Sequence, residues 1–196
     1  MNKLLGLSLS MVLLSGCASV DSTEPQRSEQ QYRDTVVVNA EPGFSLYKGQ
    51  TICPHPLLED AMRNPQRSDL QAYDTFYQAV INKLRGLGLN YQNNSDDNCD
   101  YWMAFALPTS NILSDEQLMS LFGISPGLTD NSDEHFQKAT LMMSLYSSQS
   151  KVNQWQVSLQ AFAKVANDAQ GRRNLEISHE GINYVVNRVF SYLNVN

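Results

Sequence analysis

Hydrophobic and polar positions along the chain follow two periods, and these assign most of its elements. Leu70, Tyr73, Tyr77, Val80, Ile81 and Leu84 recur on one helical face, with Ser68 and Gln71 at capping-box spacing and Gly86 and Gly88 as a stop. Ile182, Val185, Val186, Val189, Phe190 and Leu193 repeat the pattern and predict a second long helix from about 176–178 to the end of the chain. Between them the period drops to two. Trp155, Val157, Leu159 and Ala161 alternate with Gln154, Gln156, Ser158 and Gln160, which predicts a strand over 153–163 with one buried and one wet face. A strand over 139–147 precedes it across the polar turn 148–151, so the two form a hairpin. The β-branched run 34–39, the short stretch 89–92 and the apolar 101–107 supply further strands, the last central in the sheet. Another extended piece is expected at 44–47, and Pro54, Pro56 and Pro65 leave room only for a helical turn over 57–62. Together these predict an α+β two-layer sandwich: a roughly five-stranded, mainly antiparallel sheet with two long helices packed on one face.

The periodic pattern is interrupted at 108–136. Ser114 and Gln117 open a short helix through Leu118, Met119, Leu121 and Phe122, which Gly123, Pro126 and Gly127 end. The acidic residues Asp130, Asp133 and Glu134 read as a solvated loop. This insertion carries more apolar surface than a passive loop needs. Met119 and Phe122 are therefore candidate partner anchors, and the competing expectation is that the short helix covers an otherwise exposed face of the sheet.

Before the domain, Lys3 and the apolar run 4–14 form a secretory leader. Its apolar core is far short of the about 20 residues that a membrane-crossing helix requires. Residues 18–34 are Ser, Thr, Glu, Gln and Arg with one proline, too polar to order themselves, and read as a flexible tether. The expected organisation is a signal peptide over 1–16, an acylated tether over 17–34 and one α+β domain over 35–196. Leu14-Ser15-Gly16-Cys17 closes the leader and resembles a bacterial lipoprotein signal, an ordinary cleaved leader with an incidental Cys17 being the alternative. The resemblance implies that Cys17 is acylated on its thiol and, after cleavage, on its amino group. Two or three acyl chains at about 0.8 kcal/mol per buried CH₂ form a stable membrane anchor. Ala18 and Ser19, rather than an aspartate, follow the cysteine. Similarity to Gram-negative lipoproteins then implies the periplasmic face of the outer membrane.

Charge narrows the partners. The formal net charge of −6 becomes −7 once residues 1–16, with their single cation Lys3 and no acid, are removed. An acidic domain without a Lys/Arg cluster has no footprint for nucleic acid and gains nothing from an anionic membrane surface, so the lipid has to do the anchoring. Cys53 and Cys99 are expected to be bridged in an oxidising compartment, with two separated thiols as the alternative. Zinc is poorly served, because Cys99 brings no second ligand to Cys53 and His55. Asp96, Asn98 and Asp100 begin like a calcium loop, but Tyr101 and Leu107 stand where its glycine and final acid belong, so they read as a polar turn. No Gly-x-Ser-x-Gly elbow, His-Glu-x-x-His pair or phosphate loop occurs, and His55, His135 and His179 are scattered. Neither a metal nor a cofactor is expected.

The runs Ala79-Val80-Ile81-Asn82-Lys83-Leu84-Arg85-Gly86-Leu87-Gly88-Leu89 and Cys99-Asp100-Tyr101-Trp102-Met103-Ala104-Phe105 resemble a family of uncharacterised envelope lipoproteins, in which a helix ends in leucine and glycine and leads through a short strand to an Asp-led strand. Thr140-Leu141-Met142-Met143-Ser144-Leu145-Tyr146 followed by Gln154-Trp155-Gln156-Val157 is similar to that family's hairpin, whose second strand a tryptophan starts. The resemblance spans about residues 35–193 by order of elements, departs at the 108–136 insertion and the cysteine pair, and implies fold and location only. Functionally the sequence points to a non-enzymatic, outer-membrane-anchored lipoprotein that binds or supports another envelope protein. A small-molecule or lipid-binding module is the alternative, which a large apolar cavity would favour; a cleft where histidine and carboxylate groups converge would favour an enzyme.

Overall fold

The computed structural model describes residues 34–58, 70–95, 98–108, 114–122, 128, 135–167, 173–176 and 178–196. The leader, Cys17 and the tether as far as residue 33 lie outside them, and Asp34, expected as the tether's last residue, opens the first strand. In chain order the elements are β1 (Asp34–Ala40), β2 (Thr51–Pro54), α1 (Leu70–Gly86), β3 (Asn90–Tyr91), β4 (Tyr101–Ala106), α2 (Asp115–Phe122), β5 (Phe136–Ser147), β6 (Asn153–Asn167), β7 (Arg173–Leu175) and α3 (His179–Phe190).

The α+β class is as expected, but the sheet is larger and mixed. Six strands lie in the order β1-β6-β5-β4-β2-β3, and β7 pairs with the far end of β6. The β1–β6, β6–β5 and β5–β4 ladders are antiparallel, whereas β2 runs parallel to both β4 and β3. β2 escaped the pattern because it is only four residues long and ends on Pro54, a residue tolerated at a strand end. The expected strand at 44–47 is a single bridge, Leu46 to Val195, which stitches the loop after β1 to the chain's last residues.

One face of the sheet carries the core. Register puts Met103, Phe105, Leu141, Met143, Leu145, Trp155, Val157 and Leu159 on the same side, and they join Tyr73, Val80, Ile81 and Leu84 of α1 with Ile182, Val186, Val189 and Phe190 of α3 in one buried cluster. Both helices follow their predicted apolar stripes. Ser178 Oγ caps α3 by accepting from Gly181 N–H at 3.0 Å. Ser114 and Gln117 form the expected reciprocal box at the start of α2: Ser114 N–H donates to Gln117 Oε1 at 2.8 Å and Gln117 N–H to Ser114 Oγ at 3.3 Å. After α1, Gly88 takes φ +85°, where Lys48 Cγ would stand 2.9 Å from any added Cβ, so the reversal into β3 requires glycine.

The second face is not wet, contrary to the alternation in β6. Gln156, Ser158 and Gln160 are 7%, 0% and 0% exposed, and Thr140 and Lys138 beside them are also buried. Gln160 Oε1 accepts from Leu128 N–H at 2.9 Å, Gln160 Nε2 donates to Thr140 Oγ1 at 3.2 Å, and Lys138 Nζ donates to the Leu128 carbonyl at 3.1 Å. Leu128, which belongs to the insertion, lies on the second face. Gln160 and Lys138 sit buried there because they bind the Leu128 backbone.

Candidate functional site

Along β5 and β6 the paired side chains on the core face shrink in one direction. Leu145 and Trp155 are followed by Met143 and Val157, then Leu141 and Leu159, and then Ala139 and Ala161. Beyond the last pair, Ala163 continues the small end. The taper leaves a cavity of ≈220 Å³ between sheet and helices, floored by Leu107, Leu141, Leu159 and Ala161 and walled by Phe76 of α1 and Ile182 and Val185 of α3. An apolar cavity of about 150 Å³ suffices for a benzene-sized guest.

The mouth lies where the edge of the sheet changes strand. Among the described residues β1 pairs with β6 from Asp34–Ala161 to Ala40–Trp155, and β7 pairs with it from Val165, with Glu176 N–H donating to the Lys164 carbonyl at 2.7 Å. Polar groups frame the gap. Tyr184 OH donates to Asp34 Oδ2 at 2.7 Å, Arg188 Nε stands 3.6 Å from the same oxygen, and Lys164 pairs with Glu176 at 3.1 Å. Glu180 of α3 adds a third carboxylate to the lining, against the single lysine. The bond to Asp34, then partial burial, pushes the Tyr184 phenol above its ordinary range.

A second cluster occupies the other face. His55 packs edge-on to Trp102 and Tyr146, with ring centroids 5.5 and 4.9 Å away, and Lys151 Nζ stands 3.6 Å above the Trp102 ring. Burial first, and the Lys151 cation second, lower the His55 pKa. In this region Trp102 Nε1 and Asn153 Oδ1 are buried without a hydrogen-bond partner. Among the described residues these contacts are aromatic and cationic, and they pack the His55 ring.

Cys53 and Cys99 are joined in a disulfide, with Cα atoms 5.8 Å apart. Met119 is 52% exposed on α2, while the side chain of its proposed companion Phe122 lies outside the described residues. Met119 does not line the cavity. His135 and His179 are exposed and distant in sequence from the His55 cluster. Asp100 Oδ2 accepts from Thr51 N–H at 2.7 Å and so anchors β2; Asp96 lies outside the described residues. Among the described residues no three His, Cys, Asp or Glu side chains converge as a metal site. No described helix is long and apolar enough to cross a membrane.

Sequence reasoning missed the cavity because its signal is a shortage of bulk. The run Trp155, Val157, Leu159, Ala161, Ala163 falls in size along one face, and only the pairing with Ala139 turns that into a void.

No family model and no curated protein matches the chain. Among solved structures it is similar to a single-residue variant of the PelC dodecamer from Paraburkholderia phytofirmans, at 12% identity and a TM-score of 0.47, covering 84% of this chain and 99% of that one. It is also similar to the PelC dodecamer of the same organism in another crystal form, at 11% identity and a TM-score of 0.42, covering 84% and 100%.

Proposed function

We propose that this chain is a lipid-anchored domain on the periplasmic face of the outer membrane that works by binding rather than catalysis, and that the cavity between sheet and helices receives an apolar group. The single observation carrying the reading is that cavity, apolar in its floor and polar only at its mouth, as small-molecule sites are. The Cys53–Cys99 disulfide and the leader ending in Cys17 support an oxidising, exported setting. At the mouth Arg188 stands on Asp34 and Lys164 on Glu176, which leaves Glu180 as the excess carboxylate, so the guest is a short aliphatic chain with a neutral or cationic end.

Calorimetric titration of the mature chain with octylamine, octanol and octanoate tests this. The amine and the alcohol bind, octanoate binds at least about tenfold more weakly, and Ala161→Phe or the milder Ala161→Leu removes binding while the fold melts as before. Binding that survives both fillings overturns the cavity reading. The anchor has its own test. Cys17→Ser ends palmitate incorporation and moves the protein to the soluble fraction, and unchanged labelling refutes it.

A second reading, that the domain holds another envelope protein through the insertion, is favoured by the exposure of Met119. Replacing Met119 and Phe122 by polar residues then abolishes crosslinked partners without lowering the melting temperature. Loss of stability instead makes the segment part of the core.

A further inference from the structure

β1 ends the strand order, and no described strand pairs with its outer edge. Its register with β6 is unbroken from Asp34 to Ala40, and the five residues between them, Thr35-Val36-Val37-Val38-Asn39, include no charge and no proline. Native sheets ordinarily blunt such an edge with lysine, proline, a bulge or a covering segment.

The direction of each backbone group follows from the ladder. Glu41 N–H donates to the Gln154 carbonyl at 2.9 Å. Because hydrogen-bonded and non-hydrogen-bonded pairs alternate in an antiparallel ladder, Asn39, Val37 and Thr35 also turn their amides and carbonyls toward β6. Val36, Val38 and Ala40 turn theirs outward. Among the described residues nothing pairs with them, and Val38 is 36% exposed.

We propose that this edge pairs with the same edge of a second copy of the chain, antiparallel about Val37, making one sheet continuous across two molecules. The register is self-complementary in three respects. It sets Val36 against Val38 of the second copy, and both are outward-facing, so each such pair exchanges two main-chain hydrogen bonds. It sets Thr35 against Asn39 and Val37 against itself, so both sides of the added ladder match in polarity. It keeps the two Asp34 carboxylates apart, each opposite an Ala40, and no register aligning more of β1 exists. An arbitrary extended segment would satisfy only the first of these. The proposal stands independently of the cavity, whose lining it shares only at Asp34.

The test uses the full mature chain in membranes. With Cys53 and Cys99 bonded, Val37→Cys places one thiol on the twofold axis at a non-hydrogen-bonded pair, where Cα atoms about 4.5 Å apart permit a disulfide. Mild oxidation then gives a covalent dimer. Thr35→Cys, whose twin is four residues away along the strands, gives about tenfold less. Adding Val38→Pro, which removes an outward amide that β6 does not use, lowers the Val37→Cys dimer by about tenfold. Val38→Lys, which adds a charge and leaves the backbone intact, does the same, and this arm reads the edge even if the proline variant folds poorly. Absence of a dimer at Val37→Cys, equal yields at positions 35 and 37, or a yield that neither Val38 variant lowers overturns the proposal. An adduct with a different protein in place of the dimer overturns it too.

Discussion

Tyr184 donates its hydroxyl hydrogen to Asp34 Oδ2 at 2.7 Å, which ties the middle of α3 to the first residue of β1 across the mouth of the cavity. Arg188, one turn further along α3, stands on the same carboxylate at 3.6 Å. Tyr184→Phe removes the tie while keeping the ring. A single hydrogen bond is worth about 0.5–1.5 kcal/mol, and the 43% exposure of Tyr184 places this one at the lower end. The pH dependence has a definite sign. The folded-state pKa is raised above the ordinary 10.0, with the bond to Asp34 as the first cause and burial the second. Its contribution is therefore complete below pH 10 and lost as pH rises through the folded value. Urea midpoints of parent and Tyr184→Phe measured from pH 8 to 11 should converge at the alkaline end; a constant gap would show that the hydroxyl does not matter.

The Cys53–Cys99 bridge closes a loop of sequence separation 46 around α1, between residues that are 0% and 5% exposed. Loop entropy assigns such a closure about 4 kcal/mol. For a chain of this size that corresponds to roughly 10 °C in melting temperature. Cys53→Ser with Cys99→Ser should melt lower by that order, measured by circular dichroism beside the oxidised parent. Reduction of the parent should reproduce the fall, and a thermal transition indifferent to reductant would contradict it.

Trp155 is 1% exposed and its Nε1 donates to the Tyr192 carbonyl at 3.2 Å, so it fills the core and also holds the turn after α3. Trp155→Ala should cost about 3–5 kcal/mol through the cavity it leaves. Trp155→Phe retains part of the volume and loses the hydrogen bond, so its chemical-denaturation midpoint should fall between parent and alanine. Equal losses in the two variants would mean that packing contributes little beside the bond.

The helices and the long hairpin were legible in the sequence because periodicity reports a face buried by the same chain. Val80, Ile81 and Leu84 in α1, and Val186 and Val189 in α3, lie where a 3.6-residue stripe puts them. The Ser178 and Ser114 starts were legible for a local reason, since capping bonds reach only three residues. β2 and β7 were not, because strands of four and three residues draw their stability from neighbours distant in the chain. The wet face assigned to β6 was wrong for a related reason. Gln160 looks like a solvent-facing residue, yet its polarity serves the Leu128 backbone. Alternation gives the two faces of a strand but not what lies on each. The cavity depends on Ala139 meeting Ala161 across the hairpin, and no single-strand pattern contains that meeting.

His55 caps the turn after β2 while its ring packs against Trp102 and Tyr146. Its Nδ1 accepts from the Leu57 and Leu58 amides at 3.2 and 3.3 Å, so the neutral ring carries its proton on Nε2 and organises the turn after β2. Protonation would place a hydrogen on Nδ1, break both contacts and put a second cation beside Lys151. Burial, then Lys151, lowers the pKa from the ordinary 6.5. A group depressed in the folded state contributes stability above its unfolded pKa and loses it as pH falls through the folded one, so the affected window lies below pH 6.5. Urea midpoints should therefore decline on acidification through that window, and His55→Phe, which keeps an aromatic ring against Trp102 and Tyr146, should reduce the decline. Lys151→Met should raise the His55 titration seen by proton NMR without restoring the ordinary value, because the larger cause, burial, remains. A His55 resonance that titrates at or above 6.5 in the parent would sink this account of the cluster.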